Sequence, residues 1–422
     1  MAQLSDDCFD EGGRLITTAE ALGILADRIT PVAETESAGL RDAVGRILAE
    51  DITAPFHVPP YDNSAVDGYA VYFDDLHGEM VTELPVGGRA AAGHPLGRKV
   101  ERGEAIRIFT GAPMPDGPDT VMMQEDCREA GGIVAIPPGI QRGANRRSAG
   151  EDVTQGSTVL HKGMRLRPQD IGLAASVGRT ELDLYTPLNV TLFSTGDEIR
   201  EPGTELPEGC IFDSNRFSTI AALGQLGCRV TDLGILPDDQ EAIGKALDAG
   251  AAEHDLVVTS GGMSVGEEDH VRDAVEARGS IHFWRLAIKP GRPVALGQIG
   301  VDGRTVPFVG LPGNPVAAIV TFLLVARPLI LRLGGASRLV PLVYRVRADF
   351  AHKKKKDRRE FIRARLTTGA DGIPLAQKYG GSGAGVLSSL VGADGLVELP
   401  EDMTKLESGA MVDFLPFSEV LA

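Results

Sequence analysis

The stretch TSGGMSVGEED, residues 259–269, puts glycines and carboxylates into one loop. Glycines after a strand let backbone N–H groups close on an anion, whereas carboxylates repel anions and attract metals. Gly261, Gly262 and Ser264 suit an anion; Asp269 suits a cation or a proton. The stretch is neither a G-x-G-x-x-G nor a Walker loop with its GK[ST]. Ordinary dinucleotide and NTPase chemistry is therefore disfavoured.

Further loops carry comparable chemistry. STGDEI, 194–199, offers Ser194, Thr195 and Gly196, then Asp197 and Glu198. KPGRP, 289–293, sets Lys289 and Arg292 around a Pro-Gly turn, where two cations could hold an oxyanion such as phosphate. LPGNPV, 311–316, contains Pro312 and Gly313, with Asn314 as N-cap and Pro315 at the first helical position. Helix N-termini of this kind bind anions. PPYDNSAVDGYAV, 59–71, holds Asp62, Asn63, Ser64 and Asp67, more polar residues than one turn needs. IFTGAPMPDG and RRSAGED add Thr110, Glu151 and Asp152. HKKKKDRREF, 352–361, is the strongest basic cluster: its lysines suit a solvated loop as well as an anion site, while Arg358 and Arg359, which run into a strand, are expected to be functional.

These loops need positioning elements. From residue 188 strands and helices alternate, which predicts a mostly parallel sheet covered on both faces. Its strands are expected at 189–194, 228–236, 255–260, 281–288, 293–299 and 307–311. Ligands bind beyond the carboxyl ends of such strands, where STGDE, TSGGMSVG and LPGNP all fall. Asp213 is expected to cap the helix that follows it. Residues 16–29 suit an amphipathic helix capped by Thr17 or Thr18, PVAET a strand, and 37–51 a second helix. Residues 55–153 alternate short β-like runs with Gly/Pro turns. The piece at 154–186 returns to the first domain, which makes the β-rich region an insertion, and a small β-domain begins near 336.

The expected fold class is thus α/β plus β, multidomain, with one three-layer α/β domain and smaller β-rich domains. Its parts are 15–54 with 154–186, 55–153, 187–335 and 336–422.

Composition narrows the function. The 422 residues carry a net charge of −17, which argues against non-specific nucleic-acid binding. Cys8, Cys127, Cys210 and Cys228 form no CxxC pair and read as reduced structural thiols of a cytoplasmic protein. The N-terminus lacks the apolar core of a signal peptide. VAAIVTFLLVA, 316–326, is shorter than the ~20 residues of a spanning helix and reads as a buried core helix, with no membrane role.

Taken together, YDNSAVDGYA, IFTGAPMP, RRSAGED, FSTGDEI, TSGGMSVGEED, IKPGRP, GLPGNPV and RREFIRARL resemble, in order and spacing, the molybdopterin molybdenumtransferases. These are the MoeA-type enzymes, similar to the enzymatic part of gephyrin. The resemblance runs from about residue 15 to the C-terminus. It implies homodimers with four domains per chain and an α/β domain similar to the molybdopterin adenylyltransferase fold. It implies insertion of molybdenum from molybdate into adenylylated molybdopterin, with AMP release and Mg²⁺ as the cation. A ligand with phosphates that also needs a metal explains glycines and acids in one loop.

By the same resemblance Asp67, Glu198, Asp238 and Asp269 are catalytic, and Glu198, Asp238 and Asp269 are metal ligands, with Asp239 an alternative to Asp238. The substrate-binding set is Thr110, Asp152, Ser194, Thr195, Gly196, Gly261, Gly262, Ser264, Arg285, Lys289, Arg292, Pro312, Gly313, Asn314, Pro315 and Arg358. The active site is expected at the subunit interface, with transient contact to the adenylyltransferase. Two departures stand out. Arg285 replaces a lysine common in relatives, and Ala384-Gly385 takes the place of a Ser-Gly pair, with Ser382 nearby. The competing functions are the adenylyltransferase itself, which would consume ATP, and a non-enzymatic scaffold, which would tolerate loss of Asp67 and Glu198.

Overall fold

The computed structural model describes residues 15–261, 270–291, 293–381 and 383–421, with backbone alone at 282–285 and 293. The chain forms two compact units. One comprises the described residues up to Glu50, Lys162–Arg167 and everything from Leu182; the other comprises Asp51–His161 and Pro168–Glu181.

The first unit is built on a six-stranded sheet. Its order is Arg229–Leu236, Asn189–Thr195, Leu256–Ser260, Arg304–Leu311, Pro293–Val301, Gly279–Arg285. The first four strands are mutually parallel; Pro293–Val301 is antiparallel to both its neighbours. Five of six strands therefore run one way, as the alternating pattern predicts. Side chains alternate between two cores. Val190, Leu192, Leu256, Val258 and Val309 face one, with the helices Thr18–Arg28 and Asn215–Gln225. Phe193, Val257 and Phe308 face the other, with Gln240–Glu253 and His270–Glu276. Helices on both faces make the three-layer arrangement.

The helix Thr18–Arg28 starts on a capping box: the Glu20 N–H donates to Thr17 Oγ1, and the Thr17 N–H to Glu20 Oε2. Thr17 is the cap. The helix expected at 37–51 does not form. A strand, Thr35–Gly39, and a short 3₁₀ turn, Leu40–Asp42, stand there instead. Gly45 turns the chain at φ +80°, and Ile47 and Leu48 bridge to Arg165 and Leu184. Non-local strand pairing outweighs a weak helical pattern. The strand expected at PVAET correspondingly starts only at Thr35.

The apolar segment at 316–326 is longer than it reads. The helix runs through Pro315–Leu333, passing Pro328 by way of a π-helical turn at Phe322–Ala326. A proline lacks an N–H and clashes one turn back; the wider turn accommodates it. This helix has the length and apolarity to cross a membrane, and 89% of it is buried inside the protein.

The C-terminal part of the same unit is a closed five-stranded barrel. Arg359–Thr368, Pro374–Lys378, Tyr344–Ala348, Met411–Pro416 and Gly395–Leu399 pair in that order, and the last pairs with the first. Val346, Ile362, Ala364, Val397 and Phe414 fill it. Ile288–Lys289, from the α/β sheet's connection, adds in parallel beside Arg359–Thr368.

The second unit carries another six-stranded sheet, in the order Thr120–Met123, Gly68–Val71, Ala105–Ile108, Thr82–Ala90, Ile133–Ile136, Arg128–Ala130. Gly68–Val71, Ala105–Ile108, Thr120–Met123 and Ile133–Ile136 match the short runs YAVYF, AIRIF, TVMMQ and GIVAI of the sequence; Thr82–Ala90 and Arg128–Ala130 are not among them. The pair Ile52–Thr53 and Thr158–Leu160 and the helix Pro168–Ser176 complete it.

Candidate active site

In the first unit, parallel register brings the strand ends level. Ser194 pairs with Ser260, Ser260 with Leu311, and Thr195 with Leu236. The loops after them form one rim. Thr195 Oγ1 donates to Asp238 Oδ1 at 3.3 Å. Asp239, the sequence alternative, accepts from the Ala242 N–H and caps the helix Gln240–Glu253. Capping accounts for Asp239 and leaves Asp238 to the rim.

Gly196, at φ +147°, and Gly261, at φ +88°, hold backbone conformations that favour glycine. A Cβ on Gly261, at φ +88°, would lie 2.6 Å from the Thr195 carbonyl oxygen. One on Gly196 would lie 2.7 Å from Glu198 Oε2, so the Glu198 carboxylate folds directly over that glycine. Ser194 Oγ is buried and has no partner among the described residues, a donor free for a ligand. Gly262, Ser264, Asp269 and Arg292 lie outside the described residues, as does the Arg285 side chain.

No group of three or more His, Cys, Asp or Glu among the described residues is placed to hold a metal. Glu198 and Asp238 supply two carboxylates around Thr195 and Gly196. Mg²⁺ is held by one or two carboxylates plus water and substrate phosphate, and this donor set fits it.

At the LPGNP loop, Asn314 occupies the N-cap position and Pro315 the first helical position, but Asn314 makes no side-chain cap bond. The Val316 N–H donates to the Ala384 carbonyl at 2.9 Å. One donor expected to meet an anion is thus taken by the Ala384-Gly385 loop. Gly313 is held by Asn215 Nδ2 on its carbonyl, and Pro312 is buried.

The basic segments converge. Lys289, Lys353, Lys354, Lys355 and Arg358 line a cleft of about 450 Å³, with Glu360 as the acidic residue among them. Within the lysine run the roles divide. Lys354 is buried, and its ammonium donates to the carbonyls of Lys355, Arg358 and Glu401; burial lowers its pKa. It braces the turn rather than facing an anion. Arg359 pairs with Glu398 and Glu401, so its role is structural and differs from the one expected from sequence. Arg358 lines the cleft.

Glu360 escaped the sequence reading. Its side chain accepts from Lys289 Nζ at 3.2 Å and meets His352 Nε2 at 2.8 Å. Burial pushes its carboxyl up, but the bonds from His352 and Lys289 outweigh that and hold it below the usual range. The signal was present: alternation puts Glu360 on one face with Ile362 and Ala364, an acid in a barrel-core register.

In the second unit three distant motifs meet. The Ser64 N–H donates to the Ala112 carbonyl, Ala65 N–H to Asn145, and Ala149 N–H to Asp62 Oδ1. Asn63–Ser64 pairs with Arg146–Arg147. At this junction Asp67 Oδ1 accepts from both the Thr110 N–H and its hydroxyl. Those two bonds hold the Asp67 carboxyl below its ordinary range. Asp152 is exposed and its N–H donates to Val58. Ser64 closes a local turn onto Val66.

Burial raises the Cys127 thiol to about 11 and the Cys228 thiol to about 12. Both are poor nucleophiles, in line with structural thiols. Cys210 is also free; Cys8 lies outside the described residues.

Comparison with known proteins decides the family. Residues 16–178 match the MoeA N-terminal region (domain I and II), 191–332 a probable molybdopterin binding domain, and 345–417 the MoeA C-terminal region (domain IV). The chain is 37% identical to the molybdopterin molybdenumtransferase of Haemophilus influenzae, over 96% of this chain and all of that one. The chain belongs to the molybdopterin molybdenumtransferase family. Molybdopterin molybdenumtransferase 2 of Mycobacterium tuberculosis is 35% identical, over 88% of this chain and 93% of its own. A solved structure, the molybdopterin biosynthesis moeA protein of Pyrococcus horikoshii, superimposes with a TM-score of 0.81 at 30% identity. It covers 95% of this chain and 99% of its own. Membership over the full length favours a transferase of molybdenum cofactor biosynthesis over the adenylyltransferase and the scaffold.

Proposed function

We propose that this protein inserts molybdenum from molybdate into adenylylated molybdopterin and releases AMP. The supporting observation is a pair of opposite charge sets in one unit. Carboxylates ring the strand ends at Glu198 and Asp238, and cations line the cleft at Lys289 and Arg358.

Each set has a task. Lys289 and Arg358 hold an oxyanion, molybdate or a substrate phosphate. The close backbone at Gly196 and Gly261, with the Ser194 hydroxyl, binds the pterin phosphate. Glu198 and Asp238, with Asp269, would hold Mg²⁺, which would supply positive charge to the substrate's phosphate groups. The attacking oxygen comes from water or molybdate, and AMP departs. Asp67 keeps the catalytic role, and Thr110 and Asp152 the substrate-binding role, that the resemblance implies.

The proposal extends to assembly: a cytoplasmic homodimer with its active site at the subunit interface, handed substrate by the adenylyltransferase. Its domains are 15–54 with 154–186, 55–153, 187–335 and 336–422.

The test is AMP release from adenylylated molybdopterin and Mg²⁺, with and without molybdate. Release that depends on molybdate and is lost in Glu198→Ala supports the reading. Folded, dimeric protein that releases no AMP sinks it.

A further inference from the structure

We propose that Glu360 is a positioning residue that aims the Lys289 ammonium into the basic cleft, with His352 holding the Glu360 carboxylate in place. The inference rests on Lys289 being an oxyanion ligand.

Register creates the contact. Lys289 and Glu360 are partners across the parallel pairing of Ile288–Lys289 with Arg359–Thr368. The Lys289 side chain is 51% exposed and Glu360 6%. A mobile lysine head at the mouth is therefore tethered to a buried carboxylate at 3.2 Å. Lysine carries four rotatable carbons, and an untethered one loses that freedom when it binds. The tether orders it beforehand.

Packing gives no other reason for the acid. Glu360 shares a face with Ile362 and Ala364, where an apolar side chain would fill the barrel. Arg359 is matched by Glu398 and Glu401; the buried Lys354 ammonium bonds backbone carbonyls and feels the Glu360 charge without a direct bond to it. A buried carboxylate persists only where it is paired, and its hydrogen-bond partners here are Lys289 and His352.

His352 fixes the carboxylate. Its Nε2 lies 2.8 Å from Glu360 Oε2, and beside a carboxylate it is the N–H donor. That bond holds Glu360 Oε2 and leaves Oε1 to Lys289.

Molybdate binding to the full-length protein by calorimetry tests this. Lys289→Met alone is expected to weaken molybdate about tenfold, but less than about threefold in a Glu360→Gln background, since residues acting as one unit are not additive. Equal losses in both backgrounds overturn the positioning role. His352→Gln, which can still donate to Glu360, is expected to keep molybdate affinity within about twofold, and His352→Leu, which cannot, to lose it several-fold. Equal affinities in the two variants overturn the role of His352, and this arm stands even if Glu360→Gln does not fold. If Lys289→Met leaves binding unchanged in the wild type, the oxyanion role of Lys289 fails, and this inference with it.

Discussion

Asp67 and Thr110 lie 43 residues apart in sequence, yet one carboxylate oxygen of Asp67 accepts both the N–H and the hydroxyl of Thr110, at 2.8 and 2.9 Å. Two loops are thereby locked at one carboxylate, and that carboxylate stays ionised to lower pH than an ordinary aspartate.

The first prediction follows from that lowered pKa. A depressed folded-state pKa contributes stability above the unfolded value, and the contribution is lost as pH falls through the folded pKa. Thr110→Val removes the hydroxyl bond and keeps the N–H. The Asp67 pKa is expected to rise toward the aspartate norm, and the acid limb of the pH–rate profile to move up with it if Asp67 acts ionised. Carboxyl NMR titration of both proteins checks the shift; an unmoved Asp67 titration would count against the hydroxyl's contribution.

Asp238 and Asp239 are adjacent but separable. Asp239→Ala removes an N-cap and is expected to cost about 1 kcal/mol of stability with activity largely kept. Asp238→Ala is expected to leave stability nearly unchanged and to remove most of the molybdate-dependent AMP release. Thermal melts beside activity assays read both. The reverse pattern would exchange their roles.

Gly261→Ala is expected to be costly in both respects. The residue sits at φ +88°, and the new Cβ would press on the Thr195 carbonyl at 2.6 Å. A left-handed alanine costs roughly 1 kcal/mol before any clash is counted. Stability should drop by more than that, and molybdopterin affinity should fall as the rim deforms. Wild-type affinity in this variant would mean that the close approach plays no part in binding.

Arg216 anchors the rim from beneath. Its guanidinium meets Asp213, Glu201 and Asp232, and both Arg216 and Asp213 are nearly inaccessible. Removing one member of a buried pair costs about 3–5 kcal/mol, so Arg216→Met should destabilise on that scale. Adding Asp213→Ala should recover part of the loss, because the stranded carboxylate goes too. Urea unfolding of the two variants measures this; a double variant no better than the single one would show that Asp213 is not the stranded group.

Asp213 also marks where sequence reading stops. As the expected cap, it does accept the Arg216 N–H at 3.1 Å, although Ser214 occupies the cap position. Its second oxygen, taken by the Arg216 side chain, could not be read without the fold.

By itself, the sequence determined the α/β rhythm, the short β runs before it, a threonine cap at Thr17 or Thr18 and the eight motifs that resemble one family. Those signals are local: period-two and helical alternation, glycines at turns, acids beside them. Tertiary structure decided what depends on register between distant segments. It made Asp239 the cap and put Asp238 beside Thr195, turned Lys354 inward, and set Glu360 against Lys289 through a strand pairing 71 residues apart. It also replaced the helix expected at 37–51 with a strand that pairs with Glu181–Tyr185. A hydrogen-bond partner far along the chain leaves no trace in a local pattern, and that is why these assignments waited for the fold.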